Sequence, residues 1–424
     1  MPLVAHRPPV EAVVTQHVEG AASLRSTRAF LVRAPHVRLT QLARLDERLS
    51  AHIDALADSR DSAAQACTRA LAMPGRGEIF TATVLSIAWR DAERIDTLLA
   101  IAETDPTAQA GLLSAFGWSP APALRGIISS LLGSASPARQ EVALAACAMH
   151  GVLPGSAHLE AIASPHVPLR HRALRLAAQL GQVNLLSACL DAMPHEACRL
   201  QAALSAVLLG DRADAVEVLR RWVPSGTPSP EARNAARGLL LKLVCAEEGQ
   251  ALLRGLSQDP ADVRTLIRAI DAAGDPHYVP WLIKQMDDLK LARLAGEAFS
   301  TITGLDLALL DLERKPPDGE EFGPNDDAAD ADVSMDEDDG LPWPDPQRIT
   351  AWWQAHGSRF ASGTRYFMGE TPSTAHCLSI LRTGFQRQRA AAAQYLCLLN
   401  PGTPLFNVAA PAWRQQRLLA SMAG

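Results

Sequence analysis

Six proline-led helix starts recur along this chain: Asp105-Pro106, Ser136-Pro137, Ser164-Pro165, Met193-Pro194, Ser229-Pro230 and Asp259-Pro260, with Asp287-Asp288 opening a seventh unit that lacks proline. Their separations are 31, 28, 29, 36 and 30 residues. A small polar residue can cap a free helical N–H, and proline at the first helical position has no N–H to leave unsatisfied. Each start leads into an Ala- and Leu-rich helix, a short break and a second apolar helix. One such helix alone would expose its apolar stripe, so it needs neighbours stacked above and below. A fixed period in this range is the signature of stacked repeats. Arrays of helix pairs mostly build binding surfaces, which points away from an enzyme.

Composition agrees with close helix packing. Hydrophobic residues make up 48% of the chain but aromatics only 5%, so the apolar mass is mainly Ala, Leu and Val. At 424 residues there is room for two or three ordinary domains or one long array with appendages. The seven cysteines form no CxxC pair, and an odd count does not suit a disulfide framework. The N-terminus shows no signal-peptide pattern. The longest uncharged run, 106–124, is broken by Gly111, Gly117, Pro120 and Pro122 and does not read as a membrane span. The expected location is cytoplasmic.

The chain reads as four regions. Residues 1–75 form an N-terminal helical module, in which Leu42, Leu45, Leu49, Ile53 and Leu56 recur every three or four positions on one helix face. Arg44, Asp46, Glu47 and Arg48 lie off that face, and Pro74-Gly75 ends the module. Residues 76–315 read as about eight helix pairs. The most legible pair has Asp259 as cap and Pro260 at the first position, then the stripe Val263, Leu266, Ile267 and Ile270. Gly274-Asp275-Pro276 breaks the helix, and Val279, Leu282, Ile283 and Met286 form the second stripe. Residues 316–347 carry twelve acidic and no basic residues, a composition predicting a disordered linker. Residues 348–424 hold eight arginines against one acid, Glu370, and read as a basic helical module.

Templates for chemistry fail. There is no HExxH, and His166 and His171 do not share a helix face. Gly75-Arg76-Gly77 lacks a third glycine and a preceding strand, no GxxxxGK[ST] loop occurs, and Gly117-Trp118-Ser119 does not complete a nucleophile elbow. Glu247-Glu248 and Asp287-Asp288 fall at turns, where helix capping accounts for them. The residues therefore name no catalytic, cofactor-binding or metal site. A nucleic-acid role for Arg382, Arg387, Arg389, Arg414 and Arg417 is disfavoured, because the chain is net −6 and its acidic linker would compete for the same patch. The candidate contact residues are Tyr278, Trp281 and Gln285, which share a helix face beside the core stripe. Exposed aromatics of this kind anchor protein interfaces; the competing reading is that Trp281 packs on the adjoining repeat. Arg387, Arg389 and Arg414 are candidates for steering an acidic partner. Trp352 and Trp353, adjacent on one helix, are expected to face different neighbours.

The pattern Asp259-Pro260, Val263-Arg264, Gly274-Asp275-Pro276, Val279-Pro280 and Leu282 resembles HEAT and HEAT-like repeats, including the lyase-type repeats of phycobilisome proteins. That resemblance implies an all-α HEAT-like solenoid with helical modules at both ends. It also implies that Tyr278, Trp281 and Gln285 lie on or near the face lined by the second helix of each pair. Segments 16–22 and 44–54 at one end are similar to a bacterial HEAT-repeat family of unknown mechanism. So are 295–299, 302–304, 384–389 and 411–416. Genes of that family often lie beside type VI secretion spike and PAAR-tip genes. The resemblance implies a non-catalytic scaffold, an adaptor or chaperone for effector loading, with spike, PAAR-tip or effector proteins as partners. An immunity protein that binds a cognate toxin is the alternative of the same class. A lyase-like enzyme holding a prosthetic group in a HEAT-like groove is the alternative of another class.

Overall fold

Proline-led starts become capped helices. Asp105 accepts the Thr107 N–H at 2.8 Å, Ser136 that of Arg139 at 3.4 Å and Ser229 that of Ala232 at 3.3 Å. In each case proline opens the helix. At Ser164-Pro165 the start shifts: His166 Nδ1 accepts the Leu169 N–H and the helix begins at Val167. Met193-Pro194 opens a turn, and the next helix starts at Arg199.

The computed structural model describes residues 9–222, 229–258, 262–317 and 336–422. The Asp259-Pro260 cap lies outside these; Asp262 caps the helix Val263–Ala273 by accepting the Thr265 N–H at 3.2 Å. Over the described residues the chain is all-α, with 22 α-helices, four short 3-10 turns and two isolated bridges. No described helix is long and apolar enough to cross a membrane.

The chain divides into two compact units, the first comprising Met1–Arg33, Val37–Leu180 and Asn407–Gly424, the second Ala34–His36 and Gly181–Phe406. In the first, the long helices Arg76–Trp89, Pro106–Trp118, Pro137–His150 and Val167–Gln179 pack each against the next. The helices Ala92–Thr104, Ile127–Leu132 and Ser156–Ile162 each pack on the long helix that follows. Glu11–Leu31, Leu39–Ala57 and Arg60–Ala70 join the array by packing on Arg76–Trp89. Gly77 and Gly111 make the close crossings possible, since a Cβ at either would run into the carbonyl oxygen of Ala22 or Arg76.

The second unit repeats this plan. Arg199–Leu209, Pro230–Leu241, Val263–Ala273 and Ala292–Thr303 stack in succession, with Leu186–Ala192, Asp214–Trp222, Ala246–Leu256 and Val279–Gln285 beside them. Leu266, Ile267, Ile270, Val279, Leu282, Ile283 and Met286 are buried in its core, as are Leu42, Leu45, Leu49, Ile53 and Leu56 in the first unit. Fully burying a side chain of this size contributes roughly 1.5–3 kcal/mol, which is why these stripes set the helix faces.

Three expectations change. Residues 348–424 divide between the units, with Asn407 onward belonging to the first. Trp352 and Trp353 do not face different neighbours: both indoles lie edge-on to buried Phe299, at centroid distances of 6.0 and 6.4 Å. Positions about 100° apart on a helix can still reach one ring when the side chains are this large. The linker segment 318–335 lies outside the described residues, but 336–347 is ordered. Glu313 bridges Pro344, Arg314 N–H donates to Trp343 O at 2.8 Å, and Asp345 caps the helix Pro346–His356. Acidic residues repel one another only until cations meet them, and arginines meet these.

Candidate functional site

Arg264 and Arg268 stand one turn apart on the helix Val263–Ala273 and therefore share a face. Arg293 lies in the first turn of the next stacked helix, Ala292–Thr303, and Arg387 in the first turn of Gln386–Leu399. The four guanidinium groups converge on three consecutive residues, Asp336, Glu337 and Asp338. Arg264 meets Asp338 at 2.8 Å, Arg293 meets Asp336 at 2.6 Å, and Arg268 pairs with Glu337. Two contacts go to backbone: Arg293 donates to Asp338 O at 3.2 Å, and Arg387 donates to Glu337 O. The acidic segment is itself turned, with Asp336 Oδ1 accepting the Asp338 N–H at 3.0 Å. The Asp338 side chain is 4% exposed and that of Glu337 65%, so the turn has a buried tooth and a solvent-facing rim. The Arg293 guanidinium also lies over the Trp343 ring, 4.8 Å from its centroid.

Linked to the cradle through Arg387 is a set of partly buried, mutually interacting titratable groups. Arg387 holds Glu297 at 2.6 Å. Burial pushes the Glu297 carboxyl up to about 7; Arg387 opposes the rise, while Asp271 and Asp338 add to it. Burial also raises Asp271, against a hydrogen bond from Thr301 and the charges of Lys242 and Arg387. Asp271 Oδ1 has no hydrogen-bond partner among the described residues. Lys242 is held below its usual range by burial; it donates to Gly238 O at 3.3 Å and lies 5.9 Å from the Tyr395 ring centroid. Of these groups, the Glu297 carboxyl is the one brought close to neutrality.

One side of the same stack is closed by the segment 363–369. Arg365 donates to Leu241 O at 2.8 Å, Val244 O at 2.7 Å and Ala273 O at 3.2 Å, meeting carbonyls that two successive helices leave unpaired at their C-termini. Tyr366 N–H donates to Gly274 O at 2.8 Å, and Gly369 N–H to Ile302 O at 3.2 Å. Gly274 needs to be glycine twice over: its φ is 69°, and a Cβ would meet the Tyr366 carbonyl oxygen. A cavity of about 230 Å³ opens here, lined among others by Cys245, Gln250, Asp275, Tyr278 and Arg365.

The expected contact residues fare unequally. Tyr278 and Trp281 are only partly exposed and pack against the core of their own unit. Gln285 donates to Trp281 O at 3.5 Å. Arg389 is not a surface residue at all. It is fully buried, donates to Leu381 O at 2.7 Å and to Gln386 Oε1, and is pushed down to about 10 by desolvation. Arg414 donates to Gly117 O at 2.9 Å and Met149 O at 3.3 Å, so its charge answers helix C-termini rather than a distant partner. Of the six, Arg387 alone belongs to the cradle. Arg264, Arg268 and Arg293 were missed. The available signal was an i,i+4 arginine pair off the apolar stripe, and nothing local ties it to acids 69 and 74 positions away.

Six of the seven cysteines are buried, and burial raises the thiols of Cys67, Cys147 and Cys377 to about 11, which leaves them protonated at neutral pH. Among the described residues no group of three or more His, Cys, Asp or Glu side chains could hold a metal ion. The chain matches no protein-family model, no curated protein and no solved structure.

Proposed function

We propose that this chain is a non-catalytic protein-binding scaffold built of HEAT-like helix pairs, and that it acts in type VI secretion as an adaptor or chaperone loading an effector onto the spike. The observation that carries the scaffold reading is the successive stacking of long helices in each unit, with a shorter helix beside them. Stacked pairs of this kind present extended rows of side chains to a partner. The secretion role rests on the resemblance of segments at both ends of the chain to the family found beside spike and PAAR-tip genes.

The test is co-expression of the full chain with type VI spike, PAAR-tip and effector proteins, followed by pull-down. Stoichiometric capture of effector together with spike or tip is the expected result. Capture of the effector alone, with loss of its toxicity, would replace the adaptor reading with an immunity role. Capture of none of them would overturn both.

A further inference from the structure

We infer that the arginine cradle of the second unit is a docking site for an acidic segment of a partner protein, and that the chain's own Asp336–Asp338 turn occupies it in cis. The inference rests on the protein-binding reading above for the existence of a partner, while the chemistry of the site stands on its own contacts.

Four arginines from three helices, at positions 264, 268, 293 and 387, converge on one tripeptide. A latch that only had to pin a turn would need one pair. Guanidinium groups present a planar fork matched to carboxylate, and side-chain bonds to carboxylates are joined here by bonds to two peptide carbonyls, those of Glu337 and Asp338. Recognition of backbone together with side chains selects an acidic peptide over a polyanion that has no peptide carbonyls. The rim is open: Arg264 and Arg268 are about one-third exposed, and Glu337 is 65% exposed.

The turn can leave the cradle without dismantling the helix Pro346–His356 beyond it. Downstream of the turn the chain is held independently, by Arg314 N–H to Trp343 O at 2.8 Å, Asp345 N–H to Leu312 O at 2.9 Å and the Glu313–Pro344 bridge. Emptied, the cradle would leave Arg264 and Arg268 without their carboxylates and Arg293 buried, a state that favours rebinding of acid from any source. A tethered occupant competes at an effective concentration in the millimolar range, so it lowers a partner's apparent affinity by the fraction of cradles it keeps closed.

The probe is a fluorescein-labelled peptide of sequence Met-Asp-Glu-Asp-Asp-Gly, that of residues 335–340, titrated by anisotropy against the full-length chain at low salt. Wild type should bind it weakly. The triple variant Asp336→Asn, Glu337→Gln, Asp338→Asn should bind at least about tenfold tighter. Adding Arg264→Ala and Arg268→Ala should abolish the gain, as should high salt. A triple variant with wild-type helicity and melting temperature that binds the peptide no better than wild type would overturn the inference. So would tighter binding of a thymidine oligonucleotide of equal charge than of the peptide. If the triple variant does not fold, Glu337→Gln alone serves, because that side chain faces solvent; it should bind about two- to threefold tighter, and no change would be fatal. The titration contains no secretion component, so its failure is separate from failure of the pull-down.

Discussion

Each unit closes a stack of helices with one arginine from the C-terminal third of the chain, but the two closures are built from different physics. Arg414 in the first unit answers Gly117 O and Met149 O, while Arg365 in the second answers Leu241, Val244 and Ala273. Both place a cation against carbonyls at the ends of two successive helices. Near Arg414 lies a buried ion pair. Asp46, 1% exposed, binds Arg28 at 2.6 and 3.2 Å and accepts the Ala412 N–H at 2.7 Å. Arg28 also donates to Ala409 O and Ala410 O, and Trp413 stands edge-on to Trp118 at 4.6 Å. The second unit instead adds a cradle of four arginines and three carboxylates, partly open to water. A desolvated pair is stiff and is costly to break, whereas solvent-facing pairs are individually weak and respond to salt. The first closure therefore suits a permanent seam; in the second, the solvent-facing Arg268–Glu337 rim is the weak edge, while Arg293 and Asp338 are buried beneath it.

The comparison is most exposed at Asp46. Asp46→Ala leaves Arg28 buried without its carboxylate and should cost about 3–5 kcal/mol in chemical denaturation. A loss under about 1 kcal/mol, the scale of a solvent-facing pair, would show that the buried pair is no stiffer than the solvent-facing rim.

Next in size is a pH effect from Glu297. Its folded-state carboxyl titrates near 7 against an ordinary value of 4.5, so the folded protein binds the proton more tightly than the unfolded chain. The associated stability is fully present below about pH 4.5 and is lost as pH rises through about 7, an effect on the order of 3 kcal/mol. Arg387, Asp271 and Asp338 are the charged groups acting on it. Glu297→Gln should flatten that part of the stability–pH curve; an unchanged slope would show that the proton resides elsewhere. The smallest effect belongs to the cradle rim. A double-mutant cycle of Arg268→Ala with Glu337→Gln should give a coupling under about 1 kcal/mol that shrinks in roughly 1 M salt. Salt-independent coupling as large as the Asp46 loss would erase the distinction between the two seams.

Much of the helical framework was legible because its causes are local. Ser136 and Ser229 cap the helices they precede, and the Leu42–Leu56 and Leu266–Met286 stripes are buried where their spacing placed them. The candidate site was much less legible. The spacing of Tyr278, Trp281 and Gln285 identified a shared face, but periodicity says nothing about what covers that face; here Tyr278 and Trp281 pack on the unit's own core. Counting arginines in the C-terminal region suggested a cationic surface. Arg389 and Arg414 instead satisfy backbone carbonyls, an outcome that charge totals do not distinguish from exposure.

What the sequence determined by itself is therefore the helical class, three of the six proline-led helix starts and the inward faces, because capping, proline geometry and burial of an apolar stripe act over a few residues. Tertiary structure alone decided that the acids at 336–338 are held rather than free, that Arg264, Arg268, Arg293 and Arg387 meet, and that residues 407–424 belong with the N-terminal unit. The physical reason is range. A hydrogen-bonding cap or a helical period is encoded by neighbours in the chain, whereas an ion pair between positions 74 residues apart, such as Arg264 and Asp338, exists only after stacking has brought both to one surface.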